Sequence, residues 1–196
     1  MTDLKNTYNQ INDFINNPEE KVLLLTGIDD ERKPELAFYC INKSSLRTGV
    51  IRISNSTSEI PGILKDLGEE SPKSKYKYND PIRLMNKIIV FDNYVHKRSM
   101  NYSTNKLDFA IIYPVQSICV RDKEKPAFIE MLNELKVKKV IMITTNESNY
   151  DYSWLDRVVS KKVSLNSEND NPEKYKMVSE YIKNHKEEQN FKDTYK

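Results

Sequence analysis

The chain has 196 residues, of which 38% are apolar and 31% charged, with a net charge of +2. That is enough for one domain with a substantial core, and no run approaches the ~18 apolar residues of a membrane span. A balance so near neutrality argues against strong non-specific binding to nucleic acid. The two histidines, His96 and His185, lack ligand-spaced partners, which gives no metal site and no histidine-based acid–base chemistry. Cys40 and Cys119 read as buried, reduced thiols. The opening residues hold no apolar stretch, so a cytosolic location is expected.

Taken in order, Leu4, Tyr8, Ile11 and Ile15 recur at helical spacing and make residues 1–17 an amphipathic N-terminal helix. Short apolar strands are then predicted at 22–26, 49–54, 87–91, 108–113, 139–144 and 158–165. Helices are predicted at 34–43, 58–67, 124–135 and 172–186, the last with Asp170 or Asn171 as cap and Pro172 in its first turn. Segments 68–78 and 93–105 read as loops, and residues 187–196 as a flexible charged tail. Strands alternating with helices predict a single α/β domain, a mostly parallel sheet covered on both faces.

The first strand runs into Gly27-Ile-Asp-Asp-Glu-Arg-Lys33-Pro34 and then a helix. A phosphate-binding loop reads G-x-x-x-x-G-K-[ST] between a strand and a helix. Gly27 takes the first glycine and Lys33 the lysine, whereas Arg32 replaces the second glycine and Pro34 the magnesium-holding hydroxyl. Further on, Gly49 to Ile60 looks like a second core strand with its turn. Asp108 to Ile118 looks like a Walker B strand, Val140 to Asn146 like a sensor strand, and Asp156 to Val159 like the lead into a late strand.

In this order the segments resemble the ATPase core of RecA-type recombinases and DnaB-type replicative helicases, over about residues 21–165. The resemblance implies a three-layer RecA-like topology and a nucleotide seat at Gly27 and Lys33. The chemistry is depleted. Phosphoryl transfer needs backbone N–H groups around the phosphates, magnesium, and a group that orients water. Arg32 carries a bulky side chain where close approach is needed, and Pro34 ligates no metal and donates no N–H. Asp29, Asp30 and Glu31 oppose an anion. Asn55 or a neighbouring serine stands where the glutamate is expected, and Tyr113, or Pro114 one residue on, where the Walker B aspartate is expected, with Asp92 a displaced alternative. ATP hydrolysis is therefore not expected. No catalytic residue, cofactor or metal is assigned. Asp29, Asp30, Asp92 and Asp108 are the carboxylates a nuclease reading would draw on, without a compelling pair spacing.

The positive signal lies elsewhere. From Ser71 to Leu107 there are eight basic residues and two acidic ones, with tyrosines interleaved. Lysines pair with phosphates and tyrosines stack on unpaired bases, which nominates Lys73, Lys75, Tyr76, Lys77, Tyr78, Lys97 and Arg98 as nucleic-acid contacts. A solvated loop is the competing reading. Tyr150, Tyr152 and Trp154 would either anchor a partner or pack on the sheet. The expected function is a non-catalytic RecA-like protein that binds nucleic acid or a replication or recombination partner. The alternatives are a residual nucleotide-binding ATPase or sensor, and a scaffold with a protein partner or self-association.

Overall fold

The computed structural model describes residues 3–54, 56–94, 107–145, 147, 149–173 and 175–180. Seven strands form one sheet: β1 (Val22–Thr26), β2 (Thr48–Ile53), β3 (Ile82–Leu84), β4 (Lys87–Asn93), β5 (Leu107–Ile112), β6 (Val137–Ile143) and β7 (Lys161–Ser164). Their order is β3-β4-β2-β5-β6-β1-β7, parallel except for β3, which pairs antiparallel to β4. The helices are α1 (Asp3–Asn16), α2 (Arg32–Lys43), α3 (Ile60–Asp66), α4 (Gln116–Cys119) and α5 (Lys125–Glu134). The chain is thus α/β with a mostly parallel sheet and a helical layer on each face.

The strands are apolar almost throughout because both faces are covered. Leu23 and Leu25 point to the side where α1, α2 and α3 bring Ile11, Phe38 and Leu64. Val22 and Leu24 point to the other, where α5 brings Phe128 and Leu132. Fully burying such a side chain contributes roughly 1.5–3 kcal/mol, so the two apolar layers dominate the stability of the sheet. The connections after β1 and β2 run over the first face, and those after β5 and β6 over the second. The carboxyl ends of β1 and β6, and of β2 and β5, therefore border crevices between diverging loops, the usual place for a site in such sheets.

Most predicted elements are present, with differences at their ends. The helix predicted at 58–67 is a 3-10 turn (Thr57–Glu59) leading into α3. The last strand is confined to Lys161–Ser164, because the N–H groups of Val158 and Val159 turn back to the Leu155 carbonyl. β3 and α4, of three and four residues, are too short to show periodicity and were not predicted. Residues 172–173 and 175–180 are helical; the rest of the predicted C-terminal helix and the tail lie outside the described residues. Asp170 accepts the Leu4 N–H at 2.8 Å, so it caps α1 across the length of the chain. Of the thiols, Cys40 is buried and free, its pKa pushed up to about 12 by burial, and Cys119 is half-buried.

Asp108 sits at the amino end of β5, where it accepts the Arg47 and Thr48 N–H groups at 2.7 and 3.1 Å and pairs with Lys138 at 2.8 Å. Burial raises its pKa, but the bonds from Lys138 and these two N–H groups outweigh that and hold it at about 2. Because the folded value lies below the unfolded one, the stabilisation is complete above about pH 5 and is lost as pH falls toward 2. Asp108→Asn should melt about 3–6 °C lower at pH 7. The gap from the native chain should close on acidification, as read by thermal melts from pH 7 to pH 2.5.

Candidate functional site

The site predicted around Gly27 and Lys33 lies at the carboxyl end of β1, beside β6. Lys33 is the second residue of α2 and is wholly buried. A buried ammonium must be matched by acceptors. Its Nζ donates to the Gly27 carbonyl at 2.5 Å, lies 2.8 Å from Asp30 Oδ1 and 3.3 Å from Glu147 Oε1, and is 3.4 Å from Thr144 Oγ1. The ammonium is thus turned onto its own loop and onto the turn after β6.

Gly27 has a different task from the one its motif position suggests. Its φ is +109°, in the region that favours glycine, and a Cβ there would collide with the backbone of Leu165. The residue is glycine because the end of β7 passes against it. The loop is fastened to that same stretch: the Asp29 N–H donates to the Leu165 carbonyl at 3.2 Å, and buried Asp29 accepts the Ser167 hydroxyl. The Gly27 N–H, which would face a phosphate, donates to Glu147 Oε1 at 2.6 Å.

Alongside runs an acidic cleft of about 360 Å³, lined by Asp30, Glu31, Pro34, Glu35, Asp66 and Tyr113. The Tyr113 pKa is raised first by burial and then by Asp30, Asp66 and Glu59, which shows how closely the carboxylates gather round the ring. A polyphosphate entering here would meet charges of its own sign.

The other predicted residues separate into distant places. Asp92 is wholly buried on β4, with its carboxylate 3.2 Å from the guanidinium of Arg52, its registered neighbour on β2. The displaced Walker B reading is corrected on two counts. Asp92 is committed to an internal ion pair, and β4 stands four strand spacings from β1, about 19 Å at ~4.8 Å each. Asp108 lies at the amino ends of the strands, opposite the carboxyl ends where Lys33 sits. Among the described residues no group of three or more His, Cys, Asp or Glu is placed to hold a metal ion. Asn55 lies outside the described residues.

The basic stretch is only partly a surface. Lys73, Lys75, Lys77 and Arg83 are exposed. Lys87 is wholly buried and donates to the Ser44 and Leu46 carbonyls at 2.9 and 2.6 Å, closing the end of α2, so it leaves the basic patch. Burial and the neighbouring Arg47 lower its pKa. Tyr94 is buried, and Tyr76 and Tyr78 rest half-buried against the core. The Tyr76 hydroxyl accepts the Lys73 N–H at 2.8 Å, and the Tyr78 hydroxyl accepts from the Asn93 amide at 3.3 Å. The Asn79 N–H donates to the Phe91 carbonyl, so the segment also covers the edge of β4. Lys97 and Arg98 lie outside the described residues. In the aromatic cluster, Tyr152 is buried and donates to the Thr145 carbonyl, and Trp154 packs edge-on against Phe128. Both serve packing.

Glu147, Thr144, Leu165 and Ser167 escaped the sequence reading. They reach the loop from more than 110 residues away, and no local spacing marks them. No protein-family profile matches the chain, and no curated protein matches it.

Because Lys33 ties three elements together, Lys33→Met should cost about 3 kcal/mol by leaving Glu147 and the Gly27 carbonyl without their cation. Urea denaturation measures this directly. A loss below about 0.5 kcal/mol would mean that the ammonium is not a structural tie.

Proposed function

We propose that this chain is a non-catalytic, RecA-like protein that acts by binding, with a nucleotide seat closed by its own side chains. The observation that carries the reading is the enclosure of Lys33 by Gly27, Asp30 and Glu147. The strand order supports the RecA-like part. The five strands matched in sequence are consecutive neighbours, β2-β5-β6-β1-β7, with the loop-bearing strand beside the sensor-like one. The acidic cleft and the missing second glycine weigh against the alternative of a residual ATPase or sensor.

The partner class best supported is the nucleic-acid backbone, met by the exposed Lys73, Lys75, Lys77 and Arg83 at the β3–β4 end of the sheet. Phosphate contact there would be electrostatic. The tyrosines have engaged hydroxyls and half-covered rings, which leaves little stacking. One observation favours a protein partner as the second reading. Tyr39 stands 48% exposed beside a groove of about 600 Å³ between α1 and α2 that Leu4, Tyr8 and Leu36 help to line.

Two measurements test this. Mg-ATP at millimolar concentration should leave the melting temperature unchanged, because a ligand at ~100 times its dissociation constant would add about 2.7 kcal/mol; a rise of several degrees would sink the closed-seat reading. Short single-stranded DNA in low salt should bind. Alanine at Lys73, Lys75 and Lys77 together should weaken it at least about tenfold and flatten the dependence of log K on log salt by about 2. Equal binding by both proteins, or none by the native chain, would transfer the function to the protein-partner reading.

A further inference from the structure

Three donors from separate parts of the chain meet on one oxygen. Glu147 Oε1 receives the Gly27 N–H from the end of β1, faces the Lys33 ammonium from α2, and lies against the Thr144 hydroxyl just past β6. The carboxylate is anchored by an amide, a cation and a hydroxyl, the set that binds an oxyanion. Thr144 is itself positioned by its N–H, which donates to the Leu25 carbonyl at 3.1 Å and leaves the single hydroxyl proton for Glu147. Lys33 and Thr144 are wholly buried, whereas the Glu147 side chain is 24% exposed. The three donors are therefore shielded from water, and the carboxylate that meets them is the partly exposed member of the group.

We propose that Glu147 is an autoinhibitory side chain: its carboxylate fills an oxyanion seat made by Gly27, Lys33 and Thr144, and competes there with any outside anion. This rests on the closed-seat reading above and supplies the group that does the closing. Asp30 alone is not sufficient for that role. It pairs with Lys33, whereas the Gly27 N–H is taken by Glu147. With Glu147 shortened, that N–H and one side of the ammonium turn to whatever anion is available. The expected guest is small and compact, because Pro34 brings no N–H and the adjoining cleft is acidic.

The test is a thermal melt of Glu147→Ala in inorganic phosphate against chloride of equal ionic strength. The variant should rise by about 3 °C or more in ~20 mM phosphate, while the native chain stays level. The double variant Glu147→Ala with Lys33→Met should lose the response, since it removes both charges of the pair. Glu147→Gln keeps the side-chain shape and should show a smaller shift in the same direction; it serves if the alanine variant does not melt cooperatively. A cooperative melt of either single variant with no phosphate-specific shift would overturn the proposal and leave Glu147 as an ordinary structural ion pair. An equal shift in the double variant would also overturn it, placing the phosphate elsewhere. A native chain stabilised by Mg-ATP would instead remove the reading beneath it, so the two failures are told apart.

Discussion

A lysine ammonium with no exposure to water sets the terms for one end of this molecule. Among the described residues Lys33 places its charge on the Gly27 carbonyl, Asp30 and Glu147, with the Thr144 hydroxyl beside them. Removing an ammonium from water costs several kcal/mol unless acceptors replace the hydration shell. The demand is met from the loop between β1 and α2 and from the turn after β6, and meeting it fixes where α2 stands against both. The positive φ of Gly27 and its abutment on Leu165 extend the same knot to β7. The loop between β1 and α2 is thereby a joint between β1, α2, the turn after β6 and the end of β7.

The joint explains the charge layout around it. With the cation compensated internally, the surface of the crevice is left to Asp30, Glu31, Glu35 and Asp66, and it is acidic. The exposed lysines stand at the other end of the sheet, beyond β2 and β4, several Debye lengths of protein surface away in effect only when salt is high. At low ionic strength the two regions make the molecule electrically lopsided.

Buried charge recurs beyond Lys33, and it shows where reading charge as solvent exposure breaks down. Lys87 begins β4 and ends α2; Lys139, in β6, donates to the Asn17 and Glu20 carbonyls and lies 4.7 Å from the Phe14 ring. Arg52 and Asp92 face each other across β2 and β4 with almost no exposure. In the sequence each of these is one more charged residue among many, and Lys87 counts toward a basic patch. A lysine carries four methylenes and can lay them along apolar surface while its head finds carbonyls. Whether it does so depends on which carbonyls arrive, and those come from elements distant along the chain.

The local sequence determined the element types, the α/β class and the apolar strand cores, because periodicity and chain direction act over a few residues. β1 at Val22–Thr26 and the amphipathic α1 are readable on these grounds alone. The absence of a second glycine and of the Ser/Thr after Lys33 is equally plain from the residues. Only the tertiary structure decided what Lys33 does with its charge, why residue 27 must be glycine, and which of the tyrosines are covered. The acceptors for Lys33 include a residue 114 positions away, and the backbone that excludes a Cβ at Gly27 is that of Leu165. Electrostatic and steric contacts act through space, so their partners are set by the order of strands in the sheet, which no short stretch of sequence encodes.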